Sequence, residues 1–326
     1  MSVGPTKKRG AAKANLVGAE AYKARFEQMQ FSLVALPDGR AVTRVFVAGP
    51  TPAEAFAHTR LRVLKGGEAF DLPGDPTLDA GGDRFALLRV DDGVANVTPS
   101  ALVLYPQLAP DAPARVLPIQ NPITTGRKPY RAWQVPAARS ALVLLTQERS
   151  SVHTDGLCYL DWDDDTARWR EVVTLSWDDI PHQPQWADFK VQPPYLWDAM
   201  VASSGQVIAH HTGRRLYGGG GSVSCMDWSM LVEIEATTGR SRPIAEIATG
   251  IGKFTDDSTR LTLMALRTDK IDWYGLDGES QSSVRVKPHA EGKEEPWYAG
   301  AHGNSVWLWL GNERLRRFDL GTQLAV

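Results

Sequence analysis

The chain has 326 residues, 43% hydrophobic and 23% charged, with a formal net charge of −2. That length allows two ordinary domains or one large all-β domain with a well-buried core. No apolar run approaches the roughly 18 residues of a membrane-spanning helix. Two cysteines, Cys158 and Cys225, are too few for a disulfide framework or a four-thiolate zinc site.

Residues 1–30 carry six Lys and Arg against Glu20 and Glu27, a net charge of +4, which leaves the rest of the chain at −6. The sequence predicts a basic N-terminal tail here, partly helical or flexible. Tyr22, Phe26 and Met29 recur at the spacing of one helical face. The tail lacks the apolar stretch of a secretory signal, and with the low cysteine count this predicts a cytoplasmic protein. An acidic body argues against a broad nucleic-acid surface, because phosphate binding needs clustered cations.

From residue 31 onward the chain repeats. A tight turn of small or polar residues feeds a strongly apolar run, first as Leu36-Pro-Asp-Gly-Arg-Ala-Val and next as Ala80-Gly-Gly-Asp-Arg-Phe-Ala-Leu. Later copies are Pro136-Ala-Ala-Arg-Ser-Ala-Leu-Val, Ala202-Ser-Ser-Gly-Gln-Val-Ile-Ala, Thr255-Asp-Asp-Ser-Thr-Arg-Leu-Thr-Leu and Ala301-His-Gly-Asn-Ser-Val-Trp-Leu. Each reads as a β-hairpin. The aligned turn positions Gly39, Gly82, Arg139, Gly205, Ser258 and Asn304 are 43, 57, 66, 53 and 46 residues apart. A second hairpin follows each first one. Its clearest copies end on acidic residues: Tyr159-Leu-Asp-Trp-Asp163, Leu231-Val-Glu-Ile-Glu235, Trp273-Tyr-Gly-Leu-Asp277 and Leu315-Arg-Arg-Phe-Asp319. Weaker copies precede Gly66-Gly67 and Pro106.

Two hairpins make four antiparallel strands per unit, and six units of roughly 49 residues fill the chain after the tail. The expected fold is therefore all-β, a single six-bladed β-propeller of four-stranded antiparallel blades. Its blades fall near 31–74, 75–119, 130–177, 195–247, 251–288 and 296–326. The turn-then-strand copies, above all Phe254-Thr-Asp-Asp-Ser-Thr-Arg-Leu, resemble those of TolB-like and YncE-like bacterial propellers. The resemblance covers most of the chain at the level of fold and brings no catalytic residues with it.

In such a fold the turns between first and second strands, and between third and fourth, share one face and are short here. The remaining connections, predicted at 49–60, 119–130, 148–156, 178–194, 212–230 and 288–296, share the other. Long loops on a rigid scaffold are where binding residues gather. Of eleven tryptophans, Trp177, Trp186, Trp197 and Trp228 fall in or beside the longest of these loops. Trp133, Trp162, Trp169, Trp273, Trp307 and Trp309 fall in predicted strands, where they would fill the gaps between blades. Aromatic residues and arginine concentrate binding energy at interfaces. The expected partner-binding residues are Trp186, Trp228, Tyr217, Arg214 and Arg215, with Asp178, Asp179, Asp188 and His182 beside them.

Other chemistry is weakly signalled. Asp161, Asp163 and Asp165 have the opening spacing of a calcium loop, but Thr166 stands where Gly is wanted and Val172 where Glu is wanted. That stretch also aligns with a hairpin turn, where Asp is favoured for turn reasons. Gly218-Gly-Gly-Gly-Ser222 lacks the Lys-Ser/Thr ending of a phosphate loop. His210 and His211 adjoin on a strand and so point to opposite faces. On predicted first strands the chemically capable residues are Asp198, Lys253 and His302. No catalytic residue, cofactor or metal ligand is assigned. The sequence favours a non-enzymatic module that captures a protein partner, such as a toxin or enzyme that it inhibits as an immunity protein would. The alternatives are a lactonase- or hydrolase-type enzyme with a metal at the central pore, and a scaffold subunit of a larger assembly.

Overall fold

Segments such as Ser140–Gln147 (SALVLLTQ) are apolar at consecutive positions, the pattern of a strand covered on both faces. The computed structural model describes residues 33–47, 58–65, 68–73, 86–91, 93–123, 126–147, 154–176, 195–219, 222–248, 250–265, 270–285, 297–310 and 314–319. Among these residues the apolar segments become strands of six antiparallel sheets, and no helix occurs. No helix of the described residues is long and apolar enough to cross a membrane.

The first sheet contains β1 (Leu33–Ala35), β2 (Ala41–Val47), β3 (His58–Lys65) and β4 (Glu68–Asp71), in that order. The second contains β5 (Ala86–Val90), β6 (Gly93–Val97), β7 (Ala101–Tyr105) and β8 (Arg115–Pro118). The third runs β9 (Arg127–Gln134), β10 (Ser140–Gln147), β11 (Thr154–Trp162) and β12 (Ala167–Trp169), with β13 (Val173–Thr174) also paired to β11. The fourth holds β14 (Tyr195–Val201), β15 (Val207–Gly219), β16 (Ser222–Ile234) and β17 (Ser241–Ile247). The fifth holds β18 (Gly250–Phe254), β19 (Leu261–Ala265), β20 (Lys270–Tyr274) and β21 (Ser280–Arg285). The sixth holds β22 (Trp297–His302), β23 (Ser305–Leu310) and β24 (Arg314–Asp319).

Every sheet is wound in sequence order, and its first strand packs against the first strand of the next. Thus β1 meets β5, β5 meets β9, β9 meets β14, β14 meets β18, β18 meets β22, and β22 meets β1. Up-and-down sheets joined through their first strands are the architecture of a β-propeller.

The core lies between neighbouring sheets rather than in one central layer. Val42, Val63, Leu87, Val103 and Tyr105 fill the gap between the first and second sheets. Leu88, Leu102, Val143, Leu160 and Trp169 fill the next, and Leu142, Leu144, Ala199, Val201 and Val232 the one after that. This explains why the middle strands are apolar throughout: Ala141 to Leu145 are all buried because alternate residues enter two different gaps. The predicted plugging role fits Trp133, Trp169, Trp273 and Trp307, which are buried, and Trp162, which packs against the core partly buried.

The first turn of each sheet carries one residue in the left-handed region: Gly39, Asp91, Ala137, Gly205, Ser258 and Gly303. The wiring repeats too. Leu36 and Arg40 bridge the first turn, Ala202 and Gln206 the fourth, and Thr255 and Arg260 the fifth, each through an N–H···O bond of 2.8–2.9 Å. One predicted copy is out of step. The segment after Gly82 is β5, a first strand, and the inner turn of that sheet is at Asp91. A second correction concerns 212–230, expected as a loop. It is mostly strand, forming the far halves of β15 and β16. The tail at 1–30 lies outside the described residues.

Candidate functional site

The β15–β16 hairpin is the longest paired element among the described residues, with thirteen residues in each strand. Its flanks are shorter. Pairing with β14 reaches only Tyr195↔Thr212, and pairing with β17 only Ser229↔Ile247. Beyond those points, among the described residues, the two strands pair only with each other, through Gly213↔Trp228, Arg214↔Asp227, Arg215↔Met226, Leu216↔Cys225, Tyr217↔Ser224, Gly218↔Val223 and Gly219↔Ser222. Seven pairs at about 3.3 Å per residue make a ribbon of roughly 20 Å. It extends from the face opposite the short turn at Ala202–Gln206.

Register sorts the ribbon's residues. Directly opposed residues share a face and alternate pairs change face. The register sets Arg215 opposite Met226, Tyr217 opposite Ser224 and Arg214 opposite Asp227. Four expected site residues, Arg214, Arg215, Tyr217 and Trp228, thus belong to one element. The others, Asp178, Asp179, His182, Trp186 and Asp188, lie outside the described residues.

A second concentration of chemistry lies where the first strands converge. Arg131 of β9 and Asp198 of β14 are both buried and form a two-point ion pair, Nε to Oδ1 at 2.8 Å and Nη2 to Oδ2 at 3.2 Å. The same carboxylate accepts the Phe254 N–H of the fifth sheet at 2.9 Å. Burial opposes the charge on Arg131, but the attraction of Asp198 outweighs it and holds the guanidinium protonated. Arg131 also lies over the Trp133 ring, 4.4 Å from its centre.

Lys253 is buried nearby, and burial together with Arg131 pushes its ammonium well below the usual lysine range, against Asp198 and Asp256. Asp256 accepts the Ala35 N–H at 2.6 Å, joining the fifth sheet to the first. Desolvation raises its carboxyl to about 7, against the hydrogen bond from Ala35 and the charges of Arg131 and Lys253. For the adjoining Asp257, burial is outweighed by hydrogen bonds from Thr255 and Thr259, which hold it below the ordinary carboxylate range. Asp257 also accepts the Gly303 N–H at 3.1 Å. These polar groups tie the first strands and turns of separate sheets together.

Of the first-strand residues singled out in the sequence, Asp198 and Lys253 join this network, while His302 stands at the end of β22 beside Asp257. Arg131 and Asp256 were not foreseen. An arginine inside the apolar segment Tyr130–Trp133 was the available signal. His210 and His211 are buried in β15, and the His210 ring lies against Gly252, where a Cβ would come within 2.5 Å of Nδ1. Asp163 caps the β11–β12 turn, its Oδ1 accepting the Asp165 and Thr166 N–H groups at 2.8 Å, while Asp161 pairs with Arg170. Among the described residues no three His, Cys, Asp or Glu gather as metal ligands.

No family model matches the chain, and no curated protein matches it. Solved structures do. A streptogramin B lyase structure is similar at 12% identity and TM-score 0.42, covering 89% of this chain and 82% of its own. TolB from Acinetobacter baumannii is similar at 15% identity and TM-score 0.41, covering 94% and 68%. The Cps50 (Swd1) β-propeller domain of Myceliophteria thermophila is similar at 10% identity and TM-score 0.45, covering 90% and 97%. The sheet order and the contacts between first strands are those of a β-propeller.

Proposed function

We propose that the chain closes as a single six-bladed propeller and works as a non-enzymatic protein-binding module whose principal contact is the β15–β16 ribbon. The contact of β22 with β1 supports the closure. The observation that carries the function is the seven residue pairs by which, among the described residues, the hairpin continues past its pairing with β14 and β17. A two-stranded hairpin is marginally stable by itself, so such an extension adds little to the stability of its sheet. It carries Arg215, Tyr217, Met226 and Trp228, residue types that anchor interfaces. The partner is a protein with a concave surface able to receive the ribbon, such as an enzyme or toxin that this module inhibits. Asp178, Asp179, His182, Trp186 and Asp188 complete the contact from the neighbouring segment.

The test replaces Arg214–Asp227 by a two-residue Asn-Gly turn. A partner captured by the intact chain is purified, and its affinity for both forms is measured by calorimetry. The shortened chain should bind at least about 30-fold more weakly, the loss of one or two interface anchors. Equal affinity would remove the ribbon from the interface.

A further inference from the structure

Every first strand is an edge of its own sheet, so part of its backbone points away from the ladder and needs partners elsewhere. In β1 this falls on Ala35. It stands opposite Ala41, yet its N–H leaves the ladder and donates to Asp256 Oδ2 at 2.6 Å. Because β1 is only three residues long, one bond from outside the sheet weighs heavily in what holds it.

Asp256 follows β18 in the inner turn of the fifth sheet, and its backbone is bonded as widely as its side chain. Its N–H donates to the Ala301 carbonyl of the sixth sheet at 2.8 Å. Its own carbonyl accepts Arg89 Nη1 of the second sheet at 3.3 Å. The turn that carries it is fixed in place: the Thr255 N–H meets the Arg260 carbonyl at 2.8 Å, Asp257 accepts the Gly303 N–H at 3.1 Å, and Arg260 Nη2 donates to the Gly303 carbonyl at 2.8 Å. One residue anchored on the fifth sheet thus bonds to the first, second and sixth. Several bonds hold the fifth and sixth sheets to each other, so the weak member of this joint is β1.

The Asp256 side chain is half-buried at the wall of a cavity of about 350 Å³. Facing it are Arg131 from β9, Asp198 from β14 and Lys253 from β18, with Arg89 of β5 on its carbonyl and His302 of β22 beside the adjoining Asp257. Lost solvation outweighs the Ala35 bond and the two cations, so the carboxyl is pushed up to about 7. A neutral carboxyl accepts the Ala35 N–H without burying a charge, whereas a carboxylate gains by opening to water. We propose that Asp256 is a proton-controlled clasp: neutral, it holds β1 in place, and ionised, it releases β1 from the fifth and sixth sheets. The clasp rests on the ring closing through β22 and β1, and it is independent of the ribbon on the other face.

Amide hydrogen exchange resolved by NMR on the full chain reads the clasp at Ala35. An opening that sheds one proton gains up to about tenfold per pH unit. From pH 5 to pH 7 the protection of Ala35, its exchange rate relative to that of an unfolded chain, should therefore fall at least about tenfold and then level off. In Asp256→Asn, which keeps an acceptor and cannot ionise, Ala35 protection should not fall over that range. His302, the other titrating group of the joint, is present in both forms, so the difference belongs to Asp256. At pH 7 Ala35 should also be at least about tenfold less protected than Leu144, a buried residue of β10. The proposal is overturned if Ala35 keeps its protection from pH 5 to pH 7, or if Asp256→Asn shows the same fall. Equal protection of Ala35 and Leu144 would overturn it too, since the opening would then be global. Ala35 exchanging freely at every pH would overturn the closed ring as well as the clasp.

Discussion

The two halves of β15 inhabit different surroundings although they are one strand. Val207 to His211 are buried and paired on both sides, to β14 and β16. Gly213 to Gly219 pair, among the described residues, with β16 only. The buried half is apolar except for its two histidines, whereas the outer half is Gly-Arg-Arg-Leu-Tyr-Gly-Gly.

This contrast can be tested where burial is deepest. Asp198→Ala strands the Arg131 guanidinium in the interior without its two-point partner. Breaking a buried pair from one side costs about 3–5 kcal/mol, readable as a lowered urea midpoint. A loss below about 1 kcal/mol would mean that the ion pair is not what joins the third sheet to the fourth.

The histidines of the inner half give an effect of intermediate size, with a definite sign. Burial pushes His210 from an ordinary 6.5 down to about 3, and burial with the neighbouring His210 does the same to His211. Between those values the unfolded chain binds more protons than the folded one. Each ring therefore removes on the order of 1.4 kcal/mol per pH unit as the medium is acidified through that window. Asp256 acts oppositely. Its folded value of about 7 lies above the ordinary 3.8, so it removes stability as pH rises from about 4 to 7. Burial also raises the Asp198 carboxyl, in the same sense as Asp256, so the rings' share of the melting-temperature slope between pH 6.5 and pH 4 is read by difference. Replacing both rings by Asn should remove that share, and an unaltered slope would assign the acid sensitivity elsewhere.

At the small end, the Asn-Gly replacement of the ribbon should change global stability by no more than about 0.5 kcal/mol, as for surface changes away from packed features. A larger loss would make the ribbon structural.

How far the sequence reveals this arrangement follows the same division. Inner turns are legible because a short apolar strand must reverse through a left-handed residue, and Gly39, Gly205 and Ser258 sit at those reversals. The second unit misleads because Gly81-Gly82 is a louder turn signal than Asp91-Asp92-Gly93, although the latter makes the inner turn. The ribbon is illegible as strand because Gly, Arg and Ser have low strand preference, and local hairpin pairing overrides that preference without any apolar alternation. Asp198 and Lys253 stand out as charges within first strands. Arg131 and Asp256 do not, because the bonds they make, Arg131 to Asp198 and Asp256 to the Ala35 N–H, join different sheets far apart in the chain. Which sheets adjoin is a property of the whole fold, not of local pattern.

The central claim is that the ribbon makes the partner contact. Hydrogen–deuterium exchange on the chain with and without its captured partner tests it most directly. The account predicts slowed exchange concentrated in 213–228, with the inner turns at 36–40, 202–206 and 255–260 unchanged. Slowed exchange confined to those turns, with 213–228 exchanging as in the free chain, would contradict it.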